Sequence, residues 1–155
     1  MAVVRTVPIF AAVVAALGGV LIAQVSTAAQ DSMCAHLRRF ATSVTDTRPH
    51  SVTLRTDWSY PDFPRTCERA DLVPERTLCA WLVENVSTEF MTTNIERVLR
   101  CVGMSQNSML RVDELAGKVR SQDFTAKNTE LELSFDSAPK EGLPWLSIRV
   151  TKYKE

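Results

Sequence analysis

The sequence predicts an α+β domain: two helices packed on one face of a four- or five-stranded antiparallel sheet, braced by two disulfides. Three observations predict it. Segments around Val52, Leu131 and Ile148 alternate apolar and polar residues, as half-buried strands do. Segments opening at Ser32 and Ser87 repeat apolar residues at spacings of three and four, as amphipathic helices do. The four cysteines, Cys34, Cys67, Cys79 and Cys101, all follow an amino-terminal stretch patterned like a secretory signal.

That stretch consists of Met1 to Arg5 with one positive charge, the 17 apolar residues Val7 to Ala23, and the small polar run Gln24 to Ala29. Thr27 with Ala29, or Ser26 with Ala28, supplies the small residues a signal peptidase needs, so residues 1–29 read as a signal peptide and the mature chain starts near Gln30. The competing reading is an uncleaved anchor, because 17 residues is the lower edge of what spans a bilayer. Pro8 and the Gly18–Gly19 pair weaken such a helix. Met33 before Cys34, with Asp31 and Ser32 before it, argues against lipid attachment at that cysteine. Residues 30–155 are expected to form the single exported domain, with no stable membrane anchor after cleavage. The expected localisation is periplasmic or secreted.

In the mature chain, Ser32 to Val44 reads as a helix with Leu37, Phe40, Ala41 and Val44 on one side. Arg48, Pro49 and His50 end that pattern, and Val52, Leu54, Thr56 and Trp58 then alternate with polar residues as a strand. Ser59 to Pro74, with Pro61, Pro64 and Pro74, reads as a loop pinned by Cys67. Thr77 to Val86 fits two patterns. As a helix it gathers Leu78, Leu82 and Val86; as a strand it sets Leu78, Ala80 and Leu82 against Cys79, Trp81 and Val83. One helix from Pro74 to Val102 fails on phase, because at about 100° per residue the early stripe lies nearly opposite that of Met91, Ile95 and Val102. The element therefore breaks near Asn85 to Ser87, with strand then helix preferred. Leu110 to Ser121 is a weak strand, and Thr129 to Phe135 and Trp145 to Tyr153 are clear ones, joined by turns at Gln122 to Asn128 and Ser137 to Pro144.

The cysteines lie in the exported part, where oxidation is the default, and their spacings of 32, 11 and 21 intervening residues lack the close pairs of a zinc site. Two disulfides are expected and no metal. On a single helix Cys79 and Cys101 stand about 33 Å apart, whereas a strand of about 26 Å followed by a returning helix of about 21 Å brings them to similar height. The expected pairing is thus Cys34 with Cys67 and Cys79 with Cys101, ahead of the other two connectivities.

The chain of 155 residues carries 18 basic and 18 acidic residues, and the mature 126 residues keep all but Arg5. A near-neutral domain lacks the basic excess that nucleic acid requires. His36 on the polar side of the first helix and His50 beside Pro49 read as solvated side chains, with no glycine-flanked serine to form a nucleophile elbow. The carboxylate pairs Asp113–Glu114 and Glu130–Glu132 are expected to lie on solvated faces. Gly103, Gly117 and Gly142 are isolated, so no loop cradles phosphate, and no cofactor is expected. Asn85, Val86 and Ser87 match an N-glycosylation acceptor in a eukaryotic pathway and a turn with a cap elsewhere.

The residues that stand out are Trp58, Tyr60 and Phe63, set among Pro61 and Pro64 in one loop. Aromatic anchors on a proline-stiffened loop suit protein contact; the alternative is a lid over the end of the core. The expected function is non-covalent binding to a protein partner, as an inhibitor, immunity-type or accessory protein. A small apolar-ligand carrier, its pocket between sheet and helices lined by Leu131, Leu133, Ile148, Val150 and the apolar helix stripe, is the alternative. An extracytoplasmic hydrolase ranks third.

Overall fold

The computed structural model describes residues 32–57, 59, 61–62, 64–104 and 115–154. The signal-like segment, Trp58, Tyr60, Phe63, and the Asp113–Glu114 pair lie outside the described residues. In chain order the elements are α1 (Ser32–Ser43), β1 (His50–Thr56), β2 (Arg65–Arg69), α2 (Val73–Asn85), α3 (Met91–Cys101), β3 (Ala116–Gln122), β4 (Thr129–Asp136) and β5 (Trp145–Lys152). All strand pairs are antiparallel, in the order β2-β1-β5-β4-β3. The fold class is α+β, as the alternating and helical patterns predict.

Alternation places every second strand residue on the helix side. Val52 and Leu54 of β1, Leu131, Leu133 and Phe135 of β4, and Leu146, Ile148 and Val150 of β5 are buried there. Register makes these residues neighbours across strands: Val52 faces Ile148, which faces Leu133. Met33, Leu37, Phe40, Ala41 and Val44 at α1, Leu78, Cys79 and Leu82 of α2, and Met91, Ile95, Val98 and Leu99 of α3 close over them as one core. The opposite face is polar. Thr53 donates a hydrogen bond to Ser147 across β1 and β5, and Glu132 takes Arg120 at 2.7 Å and Lys118 at 3.2 Å. Glu130 and Glu132 lie on this polar face, but the expectation of solvated side chains is corrected: Glu130 is half-buried and Glu132 is buried beneath its pairs with Arg120 and Lys118; burial raises the Glu132 pKa, and hydrogen bonds from Lys118 and Arg120 more than reverse it.

Three expectations are corrected. Thr77 to Val86 is not a strand but the body of α2, so three helices cover the sheet rather than two. Its buried positions, Glu75, Leu78, Cys79 and Leu82, have helical spacing, but the stripe is opened by a carboxylate, and the apolar Trp81 and Val83 fall on flanking, half-buried positions. The loop expected from Ser59 to Pro74 contains β2, a five-residue edge strand paired with β1 directly after Pro64. The disulfides are Cys34–Cys101 and Cys67–Cys79. With α2 helical, Cys79 points at β2, 5.5 Å from Cys67 between Cα atoms; the end of α3 meets the start of α1, with 5.1 Å between Cys101 and Cys34.

The predicted break after Asn85 is present. Asn94 of α3, fully buried, accepts from the Ser87 N–H and donates to the Ser87 carbonyl, fixing the angle between α2 and α3. Asn85 itself is exposed at the end of α2, its side chain donating to the Trp81 carbonyl. Gly103, at φ +83°, ends α3: its N–H bonds the Arg100 carbonyl while the Met104 N–H reaches the Leu99 carbonyl. The β3–β4 turn holds Asp123, Thr125 and Asn128 at positive φ, and in exchange buries Phe124 in the core.

Candidate functional site

Three places in the fold concentrate chemistry. The first surrounds His50. It opens β1 on the inward side and is 4% exposed, so its reading as a solvated side chain is corrected: register with Val150 places it beneath α2. Its Nε2 lies 2.9 Å from Asp46 Oδ1, and its Nδ1 lies 2.9 Å from Glu75 Oε1. Glu75, in the first turn of α2, is fully buried, and neither of its oxygens has an aligned hydrogen bond. Its Oε1 faces the His50 ring without an aligned hydrogen bond, at the positive amino-terminal end of α2.

With a carboxylate facing each ring nitrogen, the imidazole has no free nitrogen to take a proton from a substrate. Asp46 and Glu75 approach different nitrogens, and among the described residues no group of three such side chains converges on a metal position. The cluster therefore ties the α1–β1 turn to α2. Asp46 also accepts the Arg48 Nε at 2.9 Å and the Arg48 Nη2 at 2.6 Å.

Hydrogen bonds from His50, then Arg48, hold the Asp46 pKa at about 2 instead of 3.8. A carboxyl depressed on folding contributes stability above its unfolded pKa and loses that contribution as pH falls through its folded one. Urea unfolding followed against pH is therefore expected to show a fall in midpoint between about pH 4 and about pH 2 that Asp46→Asn flattens. An unchanged slope in that variant would show that Asp46 is not the group titrating.

The second place is a cleft of about 130 Å³ between the antiparallel helices α1 and α2. His36, Arg39, Phe40 and Ser43 form one wall and Val73, Pro74, Thr77 and Leu78 the other. Phe40 and Leu78 are its buried floor, while Val73 is 64% exposed at its rim. His36 is not a freely solvated ring either. It stacks on Trp81 of α2 with ring centroids 4.3 Å apart and planes 15° from parallel. Burial, and then the nearby Arg39 charge, lower its pKa, so the ring is neutral near pH 7. The two hydroxyls in the cleft are already engaged: Ser43 donates to the Phe40 carbonyl and Thr77 to the Val73 carbonyl.

The third place is the hairpin loop joining β1 to β2, which carries the sequence-predicted contact residues Trp58, Tyr60 and Phe63. Its base is closed by the Asp57 N–H donating to the Pro64 carbonyl at 3.0 Å, and Ser59 folds back on the Asp57 carboxylate. The described loop residues Ser59, Pro61, Asp62 and Pro64 are all exposed. Arg65, at the loop exit, donates to the Val86 carbonyl, so this loop lies near the carboxyl end of α2 and the cleft near its amino end.

The cleft and the cluster escaped sequence reasoning because both depend on α2 being a helix. Glu75 carried a signal: a lone carboxylate three residues before Leu78 in a helical stripe. Leu131, Leu133, Ile148 and Val150, the expected lining of a ligand pocket, are fully buried members of the one continuous core. The two disulfides suit an oxidising environment, and among the described residues no helix is long and apolar enough to cross a membrane. Set against known protein families, curated proteins and solved structures, the chain has no match, so its role is to be read from its own residues.

Proposed function

We propose that the chain is an exported, disulfide-stabilised domain, periplasmic or secreted, that acts by non-covalent binding to a protein partner without a cofactor. The observation that carries this reading is the β1–β2 hairpin: a loop closed at its base, exposed along its described length, with three aromatic residues in its sequence. Aromatic side chains on a proline-containing loop closed at its base suit protein contact, since proline lowers the ordering cost. Two further features support contact chemistry over catalysis. Both nitrogens of His50 face carboxylates, and the hydroxyls of the α1–α2 cleft are bonded within their helices. The burial of Leu131, Leu133, Ile148 and Val150 within one continuous core supports binding at the surface over a ligand held inside. The near-neutral charge favours a protein over nucleic acid.

Alanine at Tyr60 and at Phe63 tests it. Both variants are expected to unfold within about 1 kcal/mol of wild type while losing the protein that wild type retains from its own extract, identified by mass spectrometry. A loss of about 3 kcal/mol or more in both makes the loop a lid on the core. A lipid carried through purification, with no protein retained, replaces this reading with that of a carrier.

A further inference from the structure

We propose that the α1–α2 cleft is a second contact site, which receives one apolar side chain of an acidic protein segment, with a carboxylate of that segment on Arg39. This rests on the reading of the domain as a protein binder and adds a face remote from the β1–β2 hairpin.

The cleft specifies its occupant by what it offers. Its floor is Phe40 and Leu78 and its rim is Pro74 and the exposed Val73, so the interior favours hydrocarbon. Ser43 and Thr77 spend their hydroxyl protons on the carbonyls of their own helices and leave no donor for a polar ligand. At about 130 Å³ the space is close to that of cavities that hold one benzene ring, about 150 Å³, and well below the roughly 300 Å³ at which small-molecule sites begin. One large aliphatic or aromatic side chain fits it.

Charge sets the rest. The helix α1 contains no acidic residue, and the Arg39 side chain meets no acidic partner among the described residues. Arg76 of α2 lies beside Cys67 and Cys79, paired with Asp71 at 3.2 Å, and Arg39 is the one Lys or Arg among the residues that line the cleft. Its field reaches the cleft, since it is one of the two causes that lower the pKa of His36. His36, stacked on Trp81, presents a neutral ring beside it. An apolar anchor with a carboxylate about one helical turn away matches both features, as amphipathic helices do when they dock in grooves. A second copy of this chain does not supply that match from α1, whose charged residues are all basic.

Amide shifts of the isotopically labelled protein, titrated with a blocked peptide of about twelve residues bearing Leu and Phe at helical spacing among Glu, test the site. Shifts are expected at His36, Arg39, Thr77 and Leu78, with none in the β1–β2 hairpin. Arg39→Ala is expected to weaken binding about tenfold, Arg39→Lys to restore most of it, and added salt to weaken wild type more than the alanine variant. Equal binding by the twin peptide with Lys in place of Glu, or no shift at about 1 mM peptide, overturns the proposal. Octanoate producing the same shifts with the same affinity also overturns it, in favour of a free aliphatic carboxylate. The hairpin is tested on other residues by other variants, so either reading can fail alone.

Discussion

Replacing Cys34 and Cys101 with serine is expected to cost about 4 kcal/mol, and replacing Cys67 and Cys79 about 3 kcal/mol, measured by denaturant unfolding. The difference follows from the loops closed: the first pair is 67 positions apart in sequence and the second 12, and a longer closed loop removes more freedom from the unfolded chain. For a domain of this size either loss is a large share of the total. The consequences are also local. Cys34 lies in the first turn of α1, a 12-residue helix that is marginal in isolation and holds its place by packing on α2 and α3. Loss of its disulfide is expected to loosen α1 first, raising amide exchange along His36 to Ser43 and opening the α1–α2 cleft. Loss of Cys67–Cys79 is expected to free the edge strand β2, because that bond joins it to α2. Peptide mapping without reduction checks the pairing directly: a linked pair of Cys79 and Cys101 peptides would contradict the fold.

The sheet was legible because its central strands have one wet and one dry face, and Leu131, Leu133, Ile148 and Val150 announce the dry one. The helices α1 and α3 were legible for the same reason at a different period. The phase of the apolar residues located the break after Asn85, since a helix cannot turn its buried stripe to the opposite side without ending. It did not settle what precedes the break. At Leu78 to Val83 the two periods overlap: Leu78 and Leu82 satisfy both, and Trp81 and Val83 make the wet side of the helix apolar. The misread element then carried the disulfides with it, because the expected pairing of Cys79 with Cys101 was derived from a strand that returns into a helix.

Charged and ring residues were the least legible. A histidine after a proline in a polar stretch reads as solvated until the strand it opens is known to pass under a helix; only then do Asp46, four residues before it, and Glu75, 25 residues after, become its neighbours. Trp81 and His36 shield each other in the same way, a contact between two helices that neither periodicity contains. The loop beginning at Ser59 was legible from its prolines, but not its end: β2 follows directly after Pro64, because a five-residue edge strand with a mostly exposed, polar sequence carries no alternating apolar signal.

Replacing His50 with leucine is expected to cost about 3–5 kcal/mol, while replacing both His50 and Glu75 with leucine is expected to return stability to within about 1 kcal/mol of wild type or above it. Leucine is chosen because it keeps most of the volume, so that a cavity does not dominate the result. In the single variant the Glu75 carboxylate stays fully buried at the start of α2 without the imidazole 2.9 Å away, and no other side chain hydrogen-bonds its oxygens among the described residues. A buried carboxyl group without a partner is the costly state; a hydrophobic pair in a hydrophobic layer is not. Glu75→Leu alone is expected to cost less than His50→Leu, because the imidazole keeps Asp46 as its partner. Such non-additivity is the signature of two residues acting as a unit, and equilibrium unfolding of the four proteins measures it directly. If the double variant instead loses the sum of the two single losses, His50 and Glu75 are uncoupled, and the link between the α1–β1 turn and α2 lies in apolar packing alone.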